Sequence, residues 1–161
     1  MKRTTILITL IVFAISCSNN TESLKPKQVS DIQDSVRQMA ESIAKNVSHE
    51  GPTAWLRYFE NTPAFFMASE GQLVFPNNDS AKNFINNILV KSISKIELHW
   101  SNIRIDPFTS KLAGIAAIFH EDITDSAGSK LPHDGYFTGI AHQTSQGWKL
   151  HNAHWSIIVT H

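Results

Sequence analysis

Polar side chains spaced two residues apart are the first candidates for chemistry in this chain of eight histidines. Near the C-terminus, His154 is followed two positions later by Ser156. Residues two apart in a strand point to the same face, so Ser156 could orient the imidazole for acid–base work. His120 and Asp122 form a second pair with this spacing, whereas Glu121 between them faces away. Both pairs suit proton transfer, and both are also compatible with a structural or solvated role.

A metal centre is not expected from the sequence. The single cysteine, Cys17, cannot form a cysteine-based zinc site, and no spaced zinc signature is present. His151 and His154 are three apart, so in a strand they point to opposite faces. If residues 146–147 formed a two-residue turn, His142 would lie opposite His151, and that pair could bind zinc or copper weakly. The sequence indicates no third ligand.

Composition restricts the class of protein. The 161 residues are 42% hydrophobic, and 14 Lys and Arg balance 14 Asp and Glu. This length suits one domain, and the hydrophobic fraction excludes a polar disordered chain. The balance of positive and negative side chains argues against a nucleic-acid partner. There is no glycine-rich phosphate loop and no Gly-x-Ser-x-Gly elbow, and no cofactor is predicted.

The first residues predict an export signal. A basic start precedes an apolar run over residues 6–15, which is shorter than the roughly 20 residues that span a bilayer. Cys17 follows Ala14-Ile15-Ser16, which resembles a bacterial lipobox whose cysteine becomes lipidated. We therefore expect a lipoprotein signal over 1–16 and a flexible tether over 17–29. Anchoring in the cell envelope follows, with the outer membrane or periplasmic face preferred; the alternative is an ordinary signal peptide with a chance cysteine.

Helical periodicity dominates the next part of the chain. Apolar residues recur every three or four positions over 31–48, after Ser30 and Gln33 with the spacing of a capping box. A shorter second helix is predicted from Pro52, and a third after the turn at 76–79.

The period then changes to two, which predicts strands. A short hairpin of 65–68 with 73–75 precedes the third helix. In the first long strand the alternation slips at Ser101-Asn102, which indicates a β-bulge. Three further strands are predicted, roughly over 111–123, 134–144 and 148–159. Helices gathered on one side of a bent antiparallel sheet make an α+β domain over 30–161.

The end of the chain resembles the nuclear transport factor 2-like superfamily, which includes SnoaL-like cyclases and kinase association domains. Gly147-Trp148-Lys149-Leu150 leading to His154-Trp155-Ser156 is similar to the ending of many members. The Glu70-Gly71 hairpin, followed by Asp79-Ser80-Ala81 opening a helix, supports the resemblance over about 30–160. It implies a cone-shaped, curved antiparallel sheet with three helices on its concave side and a pocket between them.

The resemblance also implies which residues face the pocket. The strand face that carries Asn152, His154 and Ser156 would look into the cavity, while Trp155 would pack outside it or at a homodimer contact. Plausible ligand-binding residues are Trp55, Tyr58, Trp100, Tyr136 and Asn152, although such aromatic positions also suit a plain core. His133 and His161 are expected to be solvated.

Three functions are compatible with these observations. The favoured one is a lipid-anchored protein that binds a small apolar ligand without catalysis, because no counterpart of the pocket aspartate of the isomerase-like members is found. The second is a SnoaL-like isomerase, dehydratase or cyclase that uses His154, with His120 and Asp122 as the alternative pair. The third is an interaction domain whose pocket is filled by its own side chains.

Overall fold

Six β-strands form one sheet in the computed structural model, which describes residues 23–158. The strands are β1 (Phe66–Ser69), β2 (Gln72–Phe75), β3 (Ile93–Pro107), β4 (Leu112–Asp125), β5 (Lys130–Thr144) and β6 (Gly147–Ile157). Their spatial order is β2-β1-β6-β5-β4-β3. All neighbours are antiparallel except β1 and β6, which run parallel. The predicted curved α+β sheet is confirmed, but it is mixed, because strands far apart in the chain are not forced antiparallel by a hairpin.

Three helical segments precede or interrupt the strands. Helix α1 spans Pro26–Glu50, and a 3-10 helix over Pro52–Arg57 stands where the second helix was predicted. The third segment begins as α2 (Asn78–Phe84), loosens into a π-helical turn (Ile85–Leu89) and ends as α3 (Val90–Ser92). Within residues 23–158, no helix is long and apolar enough to cross a membrane. The predicted signal and Cys17 lie outside the described residues.

Helix α1 buries the predicted apolar stripe but begins one turn early. Its inward residues are Ile32, Val36, Met39, Ile43 and Val47, all buried. Pro26 suits the first turn, and the Gln28 side chain accepts the backbone N–H of Lys25 at 2.9 Å. The predicted cap at Ser30 is therefore wrong, and the last four residues of the predicted tether, 26–29, are helical.

Aromatic rings form the centre of the core on the concave side of the sheet. The ring of Trp155 lies 4.3 Å from that of Phe119 and 5.3 Å from that of Phe137, centroid to centroid. Trp100 packs behind them and donates its indole N–H to the carbonyl of Ala40 at 2.9 Å, which ties β3 to α1. Burying each large apolar side chain stabilises the fold by roughly 1.5–3 kcal/mol.

Three register shifts interrupt the ladders of the long strands. The register of β3 against β4 shifts between Ser101 and Arg104, with Asn102 at φ 51°, which confirms the predicted bulge. A second shift lies at the start of β3, and a third lies between Ile140 and Ala141 of β5, where β6 has one extra residue (the β6 bulge). Neither of these two shifts has a counterpart in the sequence-based prediction.

Candidate functional site

A cavity of about 440 Å³ lies between the sheet and the helical segments. Every long strand contributes to its wall, together with the β1–β2 hairpin, the 3-10 helix and the π-helical turn. Most of its lining is aromatic or aliphatic, including Trp55, Phe59, Phe84, Ile96, Phe137 and Trp155. The volume falls in the range of small-molecule sites, roughly 300–1,000 Å³. The structure therefore has an open cavity, and the protein's own side chains do not fill it.

One carboxyl group, that of Glu121, stands in this apolar lining. Alternate residues of β4 point inward, and Phe119, Glu121 and Ile123 continue that face. Glu121 is only 8% exposed. Burial raises the pKa of its carboxyl to about 7, and no hydrogen bond from residues 23–158 opposes that effect. Near neutral pH the group is therefore present in both protonated and ionised forms.

His133 is the residue of β5 that lies directly opposite Glu121 in the sheet. The two residues are paired in the antiparallel ladder of β4 and β5, and both line the cavity. Directly opposed side chains have Cβ atoms roughly 4.5–5.5 Å apart. The imidazole and the carboxyl can thus contact the same bound molecule. The expectation that His133 is solvated is wrong, because it is half-buried in the cavity wall.

The predicted inward face of β6 is in fact the outer face. Ala153, Trp155 and Ile157 line the cavity, whereas His154 is exposed. Ser156 donates its hydroxyl to the Tyr136 carbonyl at 3.4 Å and does not orient His154. The apolar face turns inward because burying the indole and the aliphatic chains removes more apolar surface from water.

His120 and Asp122 do pair, but also on the outer face. His120 Nε2 lies 3.4 Å from an Asp122 carboxylate oxygen, and Nδ1 lies 2.9 Å from one of Asp134. The hydrogen bond with Asp134 chiefly raises the pKa of His120, and Asp122 adds to it. Neither His120 nor Asp122 lines the cavity, so the polar side chain of β4 that a bound ligand would contact is Glu121.

The predicted ligand-binding residues lie in different places. Of the four aromatic residues, Trp55 lines the cavity and Trp100 packs behind its wall. Tyr58 bonds through its hydroxyl to the Asn46 amide at 2.5 Å, and Tyr136 is 46% exposed on the outer face. The remaining candidate, Asn152, accepts the N–H of Ile140 at the β6 bulge and also lies outside the lining.

Sequence reasoning missed Glu121 and His133, although a signal for Glu121 was present. The alternation through residues 113–123 places one apolar side chain after another on the face that Glu121 shares. A carboxylate that interrupts such a face is expected to be buried. His133 gave no comparable signal, because its flanking residues are exposed and its burial depends on the strand opposite.

No protein-family model matches the chain, and no curated protein matches it. Solved structures do match. A nuclear transport factor 2-like superfamily protein from Salmonella enterica serovar Typhimurium has a TM-score of 0.70 at 16% identity, covering 81% of this chain and 94% of that one. A putative scytalone dehydratase from Novosphingobium aromaticivorans has a TM-score of 0.71 at 11% identity, covering 84% and 89%.

The hexachlorocyclohexane dehydrochlorinase LinA-type3 from Novosphingobium barchaimii is similar at a TM-score of 0.65 and 8% identity, covering 81% of this chain and 88% of that one. At such low identity these likenesses show the fold alone. The chain has the nuclear transport factor 2-like fold, which confirms the fold expected from the resemblance of its C-terminal segment.

Proposed function

We propose that the chain binds a small, uncharged and mainly apolar molecule carrying one hydrogen-bonding group in the cavity. The observation that carries the proposal is the Glu121 carboxyl, which stands without a hydrogen-bond partner from residues 23–158 in an apolar lining. Burying apolar ligand surface contributes about 25 cal/mol per Å². A carbonyl or hydroxyl on the ligand would also satisfy Glu121.

The charge of the cavity selects against anionic ligands. Above pH 7 the Glu121 carboxyl is mostly ionised, and a second negative charge in the same apolar space would be repelled and desolvated. Below pH 7 the protonated carboxyl donates a hydrogen bond, which favours an acceptor such as a ketone.

Titration with the uncharged fluorophore N-phenyl-1-naphthylamine tests binding. Ala153 lines the cavity beside Trp155, so Ala153→Leu places extra carbons in the space the fluorophore would fill. We expect at least about tenfold weaker binding, a change of about 1.4 kcal/mol. His154→Ala is the matched control, because it changes an exposed residue next to Ala153 on the same strand. Equal affinity for wild type and a folded Ala153→Leu variant would contradict the proposal.

Proton transfer to the bound molecule is the second candidate function, and the pairing of Glu121 with His133 favours it. A carboxylate whose pKa lies near 7 can remove a proton from an activated carbon, and a neighbouring imidazole can stabilise or protonate the product. Two of the similar structures are described as a dehydratase and a dehydrochlorinase. Isomerisation or elimination is therefore the reaction class, with Glu121 in place of the predicted His154.

Isomerisation of 3-cyclohexenone to its conjugated isomer, followed by ultraviolet absorbance, distinguishes the two functions. An enzyme would accelerate the reaction with a rate that rises as pH passes through about 7, and Glu121→Gln would lose the acceleration. His154→Ala would keep it. A chain that binds the fluorophore but accelerates no proton transfer in a wider set of uncharged ketones and alcohols would be a binding protein only.

We also propose that Cys17 anchors the protein in the cell envelope. The lipobox-like sequence supports this, and only residues 18–25 separate Cys17 from the start of α1, so the domain would lie close to the membrane surface. Mass spectrometry of the mature N-terminus tests it. We expect a diacylglyceryl cysteine in wild type and release into the soluble fraction for Cys17→Ser. A mature chain that begins at another residue would contradict the anchor.

A homodimer is proposed through the outer face of the sheet. Ile118 and Tyr136 are paired across β4 and β5 and are 37% and 46% exposed. Trp155, which the resemblance placed outside the cavity or at a dimer contact, instead faces inward and lines the cavity. Light scattering should give a dimer for wild type and a monomer for Ile118→Lys. A wild-type monomer at tens of micromolar would refute the proposal.

A further inference from the structure

Glu60, His142 and His151, here called the Glu60 cluster, come together outside the cavity. The Glu60 carboxylate accepts a hydrogen bond from His142 Nδ1 at 2.9 Å and from His151 Nδ1 at 2.7 Å, one on each oxygen. The two imidazole rings stand 6.2 Å apart and nearly perpendicular, at 85°. One potential ligand atom from each residue lies within 4.8 Å of the other two. Among residues 23–158 no other such group of three is found.

Backbone hydrogen bonds fix Glu60 beside His151. The Leu150 N–H donates to the Tyr58 carbonyl at 2.7 Å, and the Glu60 N–H donates to the Leu150 carbonyl at 2.9 Å. Phe59 and Leu150 are paired and both buried. The residues that follow them, Glu60 and His151, therefore turn to the other side together.

The β6 bulge brings His151 next to His142. In the β5–β6 ladder Ala141 pairs with Leu150 and Ile140 with Asn152, which leaves His151 as the extra residue. His142 itself pairs with Lys149, because the turn lies at 145–146, one residue before the 146–147 turn that would have placed His142 opposite His151. The extra residue of the β6 bulge offsets this shift of the turn by one position, so His142 and His151 lie on the same face of the sheet.

We propose that the Glu60 cluster binds one divalent transition-metal ion of the zinc type, with two imidazole nitrogens and one carboxylate oxygen as ligands and water completing the coordination. Two histidines and a glutamate are a recognised ligand set for Zn²⁺, with bonds of roughly 2.0–2.2 Å. Ligand atoms of a tetrahedral site are then about 3.3 Å apart. The two hydrogen-bonded contacts, at 2.9 and 2.7 Å, would open by about half an ångström, and the widest separation among the three ligand atoms, at most 4.8 Å, would close to the same distance by rotation of the side chains.

Charge and access both suit an ion. Glu60 supplies an acidic ligand between the two imidazoles, since each of its carboxylate oxygens contacts one ring. The His142 and His151 side chains are 35% and 36% exposed, which leaves a path for the ion and a position for water. The bound ion would link the segment after the 3-10 helix to β5 and β6.

Titration of the metal-free full-length chain with Co²⁺ tests the proposal, because cobalt in a zinc-type site gives visible d–d absorption that Zn²⁺ removes on displacement. We expect one Co²⁺ per chain. His142→Gln and His151→Gln should each weaken binding by more than about 100-fold, beyond the 10–100-fold cost of changing a residue that only orients a ligand. Glu60→Gln should weaken it as well. His49→Gln, at the exposed end of α1, is the control and should bind as wild type.

Urea unfolding provides a second readout. Zn²⁺ at about 100 times its dissociation constant should stabilise the wild-type fold by about 2.7 kcal/mol and leave a folded His151→Gln variant unchanged. If the cluster is only a set of structural hydrogen bonds, the variants will be less stable but Zn²⁺ will have no effect on any of them. That result, or equal Co²⁺ binding by wild type and both histidine variants, would overturn the proposal. Fluorophore binding in the cavity is independent of either outcome, because none of the three residues lines it.

Discussion

Replacing Glu121 by Gln should change the free energy of unfolding relative to wild type in a pH-dependent way, with the variant gaining stability over wild type as pH rises. In the folded chain, burial raises the pKa of the Glu121 carboxyl from 4.5 to about 7. Between these two values the folded state holds a proton that the unfolded state has lost, so stability falls as pH rises from about 4.5 to 7 and is level above that. Because the amide of Gln does not titrate, the fall in stability between about pH 4.5 and 7 is absent from the variant.

The size of the effect follows from the two pKa values. A rise from 4.5 to about 7 corresponds to about 3 kcal/mol, at about 1.4 kcal/mol for each tenfold change in proton affinity. Any fixed cost of burying an amide is the same at every pH and cancels in the comparison. The stability of Glu121→Gln relative to wild type should therefore increase by about 3 kcal/mol between pH 4 and pH 8.

Urea unfolding at pH 4, 6 and 8, followed by tryptophan fluorescence, measures this difference. Glu97→Gln is the matched control, because it removes a carboxyl that is 45% exposed on β3. A Glu121→Gln difference that stays constant within about 0.5 kcal/mol over this range would refute the idea that the carboxyl is desolvated. The proposed binding site would then lose its main polar feature.

Three further outcomes are expected. Asp134→Asn should lower the pKa of His120 measured by NMR titration, since that carboxylate is the main cause of its raised value; an unchanged titration would contradict the contact. Gly135→Ala should destabilise the fold by at least about 2 kcal/mol, because the new Cβ would lie 2.0 Å from the Ser156 carbonyl oxygen. Gly114→Ala should cost less, because the closest atom to its new Cβ, at 3.0 Å, belongs to the Phe108 side chain, which can move. The urea midpoints of the two variants should therefore differ. Trp100→Phe should cost about 1–3 kcal/mol in the same assay, because it leaves the Ala40 carbonyl without its indole donor, and a neutral change would mean that water replaces it.

Local patterns in the sequence were sufficient to predict most elements. The stripe from Ile32 to Val47 is read from residues one turn apart, and the β3 bulge from a slip in alternation at Ser101-Asn102. Neither requires knowledge of a distant part of the chain. The parallel pairing of β1 with β6 does, because nothing near residues 66–69 indicates which strand will join them.

The candidate site was less predictable, because it depends on which face of each strand turns toward the cavity and on contacts between residues far apart in the chain. Alternation groups His154 with Ser156 correctly, but only packing decides which face of β6 turns inward, and the indole of Trp155 decides it. Glu60 reaches His142 and His151, which lie 82 and 91 positions away in the chain, through a bulge and a backbone bridge. Spacing along the sequence allowed a pairing of His142 with His151, but it gave no indication that Glu60 would join them.

The parallel pairing of β1 with β6 affects the order in which the molecule is completed. Phe66 to Ser69 are synthesised 86 residues before their partners Asn152 to Trp155. Contacts between such distant positions form slowly, because a long loop must close first. Until β6 is synthesised, the cavity lacks the wall that Ala153, Trp155 and Ile157 supply, so a nascent or truncated chain would expose an open hydrophobic groove to chaperones and to other copies of itself.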